Sequence, residues 1–172
     1  MKPTDFAYYL TDFLSKYLPG IVGLSSNTIM SYRDTFSIFL EFCLEQKTIK
    51  PEKFSLDNLN RKLVEDYLEW LERKRKCIAS TRNVRLAAFH SFCRYLQMEF
   101  PDYIHWAQQI ISIPMKRTKK VSVEYITLDA TKFLLQKPDK MTKEGRRDMV
   151  LLSLLYDSGA RVQELADLKV GD

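Results

Sequence analysis

Residues 147–165 read RDMVLLSLLYDSGARVQEL. From Arg147 to Tyr156 the stretch is apolar on nearly every side, the pattern of a helix enclosed within a domain. Tyr156 falls inside this run and is expected in the core. Gly159 is placed to end the helix, because a chain leaving an α-helix often turns left-handed and glycine does so without a Cβ penalty. A second helix is expected to start at once, with Arg161 in its first turn. The N–H groups and dipole of such a terminus favour an anion, and a guanidinium adds a planar fork of donors that matches phosphate oxygens. Glu164 lies three residues on, on the same helical face, where it can orient that guanidinium. By spacing alone, the pair also fits an ordinary surface ion pair. Only sixteen residues follow Tyr156, too few to wrap the apolar helix, so this region is expected to be helical but poorly enclosed.

Immediately upstream, Thr127 begins TLDATKFLLQKPD, a capped helix. The preceding segment, MKRTKKVSV (115–123), is basic and β-branched without helical periodicity, and Pro114 marks a boundary before it. Earlier still, apolar residues recur at helical spacing. Thr4 can cap a first helix carrying Phe6, Leu10, Phe13, Leu14 and Tyr17, with Pro19-Gly20 ending it. Ser25, Ser26 and Asn27 offer caps to a second, whose stripe includes Ile29, Tyr32, Phe36, Phe39 and Cys43. A third follows Asn60, with Leu63, Val64, Tyr67, Leu68 and Leu71 on its inner face. Ser80 or Thr81 caps a fourth, bearing Phe89, Phe92, Cys93 and Leu96, and a shorter helix near Tyr103–Ile111 closes the set. The fold class predicted is all-α, a small four- to five-helix bundle followed by a linker and a helical fragment. Its expected divisions are a helical domain over 1–112, a basic linker over 113–125 and the start of another domain over 126–172.

With 45% hydrophobic residues the chain can build a core, and 5 Gly and 6 Pro leave little room for the turns of an all-β protein. No run approaches the roughly eighteen apolar residues of a membrane span, and the N-terminus MKPTDFAYYL lacks a signal-peptide pattern. Cys43, Cys77 and Cys93 are three, widely spaced and without a C-x-x-C, the usage of free thiols in a reducing cytoplasm. No metal site is expected. The formal charge of +5 is unevenly spread. Residues 61–120 carry 13 Lys/Arg against 6 Asp/Glu, whereas 1–60 carry 6 against 7 and 121–172 carry 8 against 9. An excess confined to one third of the chain fits a polyanion partner, and equally a pair of solvated helix faces with a basic linker.

The pattern RD-x-x-LL-x-LLY-x-SG-x-R-x-x-EL over 147–165 closely resembles the first catalytic box of the tyrosine site-specific recombinases, the family of phage integrases and Xer recombinases. VSVEYITLDATKFLL (121–135) is similar to the family's approach to its catalytic domain. SNTIMSYRDTFSIFLEFC (26–43) and ASTRNVRLAAFHSFCRYL (79–96) resemble the second and fourth helices of its SAM-like core-binding domain. The resemblance implies double-stranded DNA as partner, self-association of protomers on DNA, and no cofactor or small-molecule substrate. It also implies strand breakage and rejoining through a 3′-phosphotyrosine, with Arg161 holding the phosphate and Glu164 supporting it. The family's lysine, His-x-x-Arg box and nucleophilic tyrosine would come later, so the chain is expected to bind duplex and to be inactive by itself. Neither His90 nor His105 heads such a box. By position, the resemblance places DNA contacts at Asn27, Thr28, Tyr32 and Arg33 on the second helix. It places others at Thr81, Arg82 and Arg85 on the fourth, and at Lys116, Arg117, Lys119 and Lys120 on the linker. The competing expectation is a helical protein-interaction module whose Leu-rich tail mediates self-association.

Overall fold

The computed structural model describes residues 2–118 and 125–169. The chain divides into two compact units, Met1–Lys119 and Lys120–Asp172. All the regular structure among the described residues is helical. None of these helices is long and apolar enough to cross a membrane.

In the first unit, the Thr4 hydroxyl accepts the Ala7 N–H at 3.3 Å and starts helix α1, Asp5–Asp12. The Asp5 carboxylate also accepts the Leu56 N–H at 3.0 Å, pinning this start to a distant turn. Pro19-Gly20 does not end the helical path, contrary to the sequence expectation. The chain continues from α1 in wider, π-type turns over Phe13–Ile21, with Pro19 inside them. These wider turns keep Phe13 and Leu18 wholly buried. The path closes just beyond them, where Gly23 takes φ +68° and the Leu24 N–H reaches the Leu18 carbonyl at 3.0 Å. Only a residue without Cβ enters that left-handed region cheaply.

Ser25 accepts from the Thr28 N–H and starts α2, Ser26–Lys47. Asn60 accepts from the Leu63 N–H at 2.9 Å and starts α3, Arg61–Arg73. Helix α4 spans Ala79–Glu99 and α5 spans Ile104–Ile111. The expected stripes are largely buried, and two large residues join them, Phe42 on α2 and Trp70 on α3. The core is unusually aromatic. Phe6, Phe36, Phe39, Phe54, Phe89 and Phe92 meet largely edge to face, with centroids 4.8 to 6.3 Å apart. Each such pair is worth about 0.5–1.5 kcal/mol beyond the area it buries. Trp106 on α5 donates its indole N–H to the Leu59 carbonyl at 2.7 Å, tying α5 to the turn before α3.

In the second unit, Thr127 caps α6, Leu128–Gln136, and Thr142 caps α7, Lys143–Ser158. Gly159, at φ +64°, ends α7 as expected, and α8 spans Val162–Ala166. Gly145 is the only buried residue among those described in this unit. A Cβ on it would collide with the backbone of Asp139. The apolar side chains of α7 are open to solvent, Val150 at 52% and Leu154 at 44%. Tyr156, expected in the core, is 53% exposed, because no other described element of this unit covers this face of α7.

Candidate nucleic-acid interface

Arg85 reaches from the seventh residue of α4 to α2, where its Nη1 donates to the Ser31 carbonyl at 3.1 Å and to the Thr35 hydroxyl at 3.0 Å. This bridge brings the N-terminal halves of α2 and α4 together. Each helix also begins with a positive dipole end and N–H groups that favour an anion. Asn27 and Arg33 are exposed at the start of α2, and Thr28 and Thr81 are partly exposed at the two helix starts. Lys116 is tied to the first part of α4. Asn83 on α4 accepts the Lys116 N–H at 3.0 Å and donates to its carbonyl at 2.7 Å. Arg117 is exposed beside it, while Lys119 and Lys120 lie outside the described residues.

Several side chains named from the sequence have other work. Arg82 is only 8% exposed, with its guanidinium turned toward Glu72 and Asn83. It lies 3.9 Å from Glu72, donates to Asn83 at 3.3 Å and has a buried Nε without a hydrogen-bond partner. Arg85 is half-buried and engaged by α2, which it ties to α4. Tyr32 is half-buried and stacks on Phe13, with rings 6.4 Å apart and 11° from parallel. Thr81 does not cap α4. The Ile78 carbonyl already accepts the Arg82 N–H at 3.0 Å, which starts the helix at Ala79 without a side-chain cap.

Much of the positive excess around α3 is internally neutralised. Arg61 pairs with Glu65, Lys62 with Asp66, Arg73 with Glu69, and Arg75 with Glu41. Arg75 also lies 5.0 Å over the Trp70 ring. Asn83 and Glu72, which hold Lys116, were not singled out from the sequence. A polar residue one position after a candidate arginine carries no signal of whom it binds.

His90 is 6% exposed, faces the backbone of Ile110 and Ile113 near the end of α5, and is held below the ordinary histidine range by burial and by the nearby Arg94 cation. His105 is exposed on α5. Burial pushes the Cys43 thiol up to about 12 and raises Cys93 further, so both are inert core groups. No cluster of three metal-ligating side chains occurs among the described residues.

In the second unit Arg161 stands just before α8 instead of in its first turn. Its extended backbone lets its own N–H donate to Glu164 Oε2 at 2.8 Å, while Nη1 donates to Oε1 at 2.9 Å. Glu164 therefore caps the helix and aims the guanidinium together, and these two contacts hold its carboxyl below the usual carboxylate range. The Arg161 side chain remains 85% exposed. Its other N–H groups can meet an incoming anion.

The family model for the N-terminal SAM-like domain of phage integrases matches residues 10–99. The integrase/recombinase y4rC of Sinorhizobium fredii is 34% identical over 99% of this chain and 52% of its own length. Tyrosine recombinase XerC of Herpetosiphon aurantiacus is 34% identical over 95% of this chain and 50% of its own. Tyrosine recombinase XerD of Listeria innocua is 27% identical over 95% and 53%. The chain thus spans about half the length of the curated relatives it matches. No solved structure matches it.

Proposed function

This chain belongs to the phage integrase family of tyrosine recombinases, and from that membership we propose that it seats duplex DNA for site-specific recombination. The observation that carries this reading is the Arg85 bridge from α4 to the first half of α2, together with the Asn83 tether that holds Lys116 on α4. Asn27 and Arg33 are exposed near the start of α2, and Lys116-Arg117 is exposed next to its tether on α4. Helix N-termini, amides and cations are the groups that grip phosphates and set register without reading bases. On this reading Thr28, Thr81 and Arg117 add backbone contacts, and Arg82, Arg85 and Tyr32 support the surface from beneath. The domain division follows the same logic, with a core-binding bundle over 1–112, a linker over 113–125 and the start of the catalytic domain over 126–172.

Arg161 is assigned to the scissile phosphate, with Glu164 fixing its direction. Residues 1–172 contain no His-x-x-Arg box. The nucleophilic tyrosine and remaining catalytic groups are therefore assigned to residues outside these 172, and this chain by itself binds without cutting. The test is duplex affinity measured by anisotropy across a salt series. Binding near the non-specific range of about 10⁻⁴–10⁻⁶ M, falling steeply as salt rises, is expected from counterion release. Salt-independent binding, or none, defeats the reading. The exposed apolar face of α7 supports a second role, self-association of protomers, read as concentration-dependent mass that persists at high salt.

A further inference from the structure

Resting on the duplex-binding reading above, we propose that Glu72 is an internal competitor for DNA phosphate, holding Lys116 in reserve until a duplex takes it. Glu72 stands on α3 in a surface concavity that Arg82 and Lys116 also line. The Lys116 ammonium lies 2.7 Å from both of its carboxylate oxygens, and Arg82 Nε approaches the same carboxylate at 3.9 Å. One anion bridging two cations is the arrangement a phosphate would adopt at this spot.

The two cations differ in what they can do next. The Arg82 side chain is 10% exposed and fixed, whereas the Lys116 side chain is 52% exposed on a flexible stem. The main chain of Lys116 is anchored separately, through both hydrogen bonds to Asn83. Its ammonium can thus exchange partners while its backbone stays in place. Arg82 remains beside Glu72 after the exchange, so the carboxylate is not left without a cation. The neighbouring carboxylates of Glu65 and Glu69 are held by Arg61 and Arg73 and are not available to recapture the lysine. Because the Lys116–Glu72 pair must open before Lys116 reaches a phosphate, Glu72 subtracts from duplex affinity.

The experiment measures duplex affinity across a salt series for the parent, Glu72→Gln and, as a control for the bare loss of one negative charge, Glu45→Gln on the exposed surface of α2. Glu72→Gln is expected to bind about two- to fivefold tighter, the worth of one exposed ion pair. Its log–log salt slope should steepen by about 0.9, one more phosphate neutralised. Glu45→Gln should do neither, and adding Lys116→Ala to Glu72→Gln should erase the gain. Equal behaviour of the two glutamine variants, or a gain that survives Lys116→Ala, overturns the proposal while leaving duplex binding intact. No salt-dependent binding by any variant removes the duplex reading and this proposal with it. If Glu72→Gln melts too low to assay, Glu72→Asp keeps the charge but shortens its reach. It should show part of the same gain, and its absence overturns the proposal equally.

Discussion

Arg85 on α4 and Thr35 on α2 are joined by a hydrogen bond of 3.0 Å at a place where Thr35 has no exposure to solvent. The Thr35 hydroxyl in turn donates to the Ser31 carbonyl at 2.9 Å, and the Tyr67 hydroxyl donates to the Thr35 carbonyl at 3.3 Å. One arginine therefore closes a small polar seam between three helices inside an aromatic core. Arg85→Ala should cost about 1.5–3 kcal/mol, the range for a hydrogen bond to a charged group. It should lower the melting temperature before it lowers affinity for duplex. Unchanged melting with weakened binding would show that Arg85 touches phosphate directly.

His90 links pH to stability. Burial holds its folded pKa below the ordinary 6.5, so the native state keeps it neutral while the unfolded chain takes up a proton. Its contribution is fully present above 6.5 and is lost as pH falls through the lowered folded value. Melting temperature should hold steady above about pH 7 and decline toward about pH 5. His90→Phe, which keeps a ring in the site and leaves no Nε2 unpartnered, should flatten that part of the curve. An unaltered acid decline in His90→Phe would assign it to other groups.

Gly145 should be intolerant of even one methyl group. An alanine inside a helix normally gains about 0.5–1 kcal/mol over glycine, yet here the new Cβ meets the Asp139 backbone, which cannot swing aside. The sign therefore reverses, and Gly145→Ala should destabilise by about 1–3 kcal/mol, as overpacking does. Amide exchange along Lys143–Ser158 should accelerate. Slower exchange there would mean the Asp139 turn yields.

The role proposed for Arg161 predicts that its loss separates binding from chemistry. Arg161→Ala in this chain should leave duplex affinity nearly unchanged, since the proposed contacts lie on the first unit. Joined to the remaining catalytic groups of a recombinase, the same change should slow strand cleavage by about 10²–10³, the usual loss for one group that stabilises a transition state. Arg161→Lys should restore little, because an ammonium lacks the planar fork that Glu164 aims. Covalent trapping on a suicide duplex, run beside a mobility shift, reads both quantities. Normal trapping by Arg161→Ala would return it to the surface ion pairs.

Helix existence was legible because its causes are local. Thr4, Asn60 and Thr127 each accept a backbone N–H where their sequence position suggests, and the apolar stripes follow from period alone. What escaped depends on partners distant in sequence. Pro19 survives within a helical path because wider turns and the burial of Leu18 compensate for its missing donor. Arg82 and Arg85 look like surface cations until Glu72 and Thr35, ten and fifty residues earlier, turn them inward. Tyr156 reads as core because apolarity records what a side chain prefers, whereas its exposure depends on which elements pack over α7.

The two tryptophans, Trp70 against Phe42 and Tyr67 and Trp106 against the Leu59 carbonyl, both belong to the first unit. With 2 Trp in the whole sequence, the second unit has none. Emission excited at the indole band is thus a reporter of one half of the molecule. Loosening around α7 passes unseen by it, whereas far-ultraviolet ellipticity sums both halves. The interval between the two melting curves, taken on one unlabelled sample, reads out how independently the halves come apart.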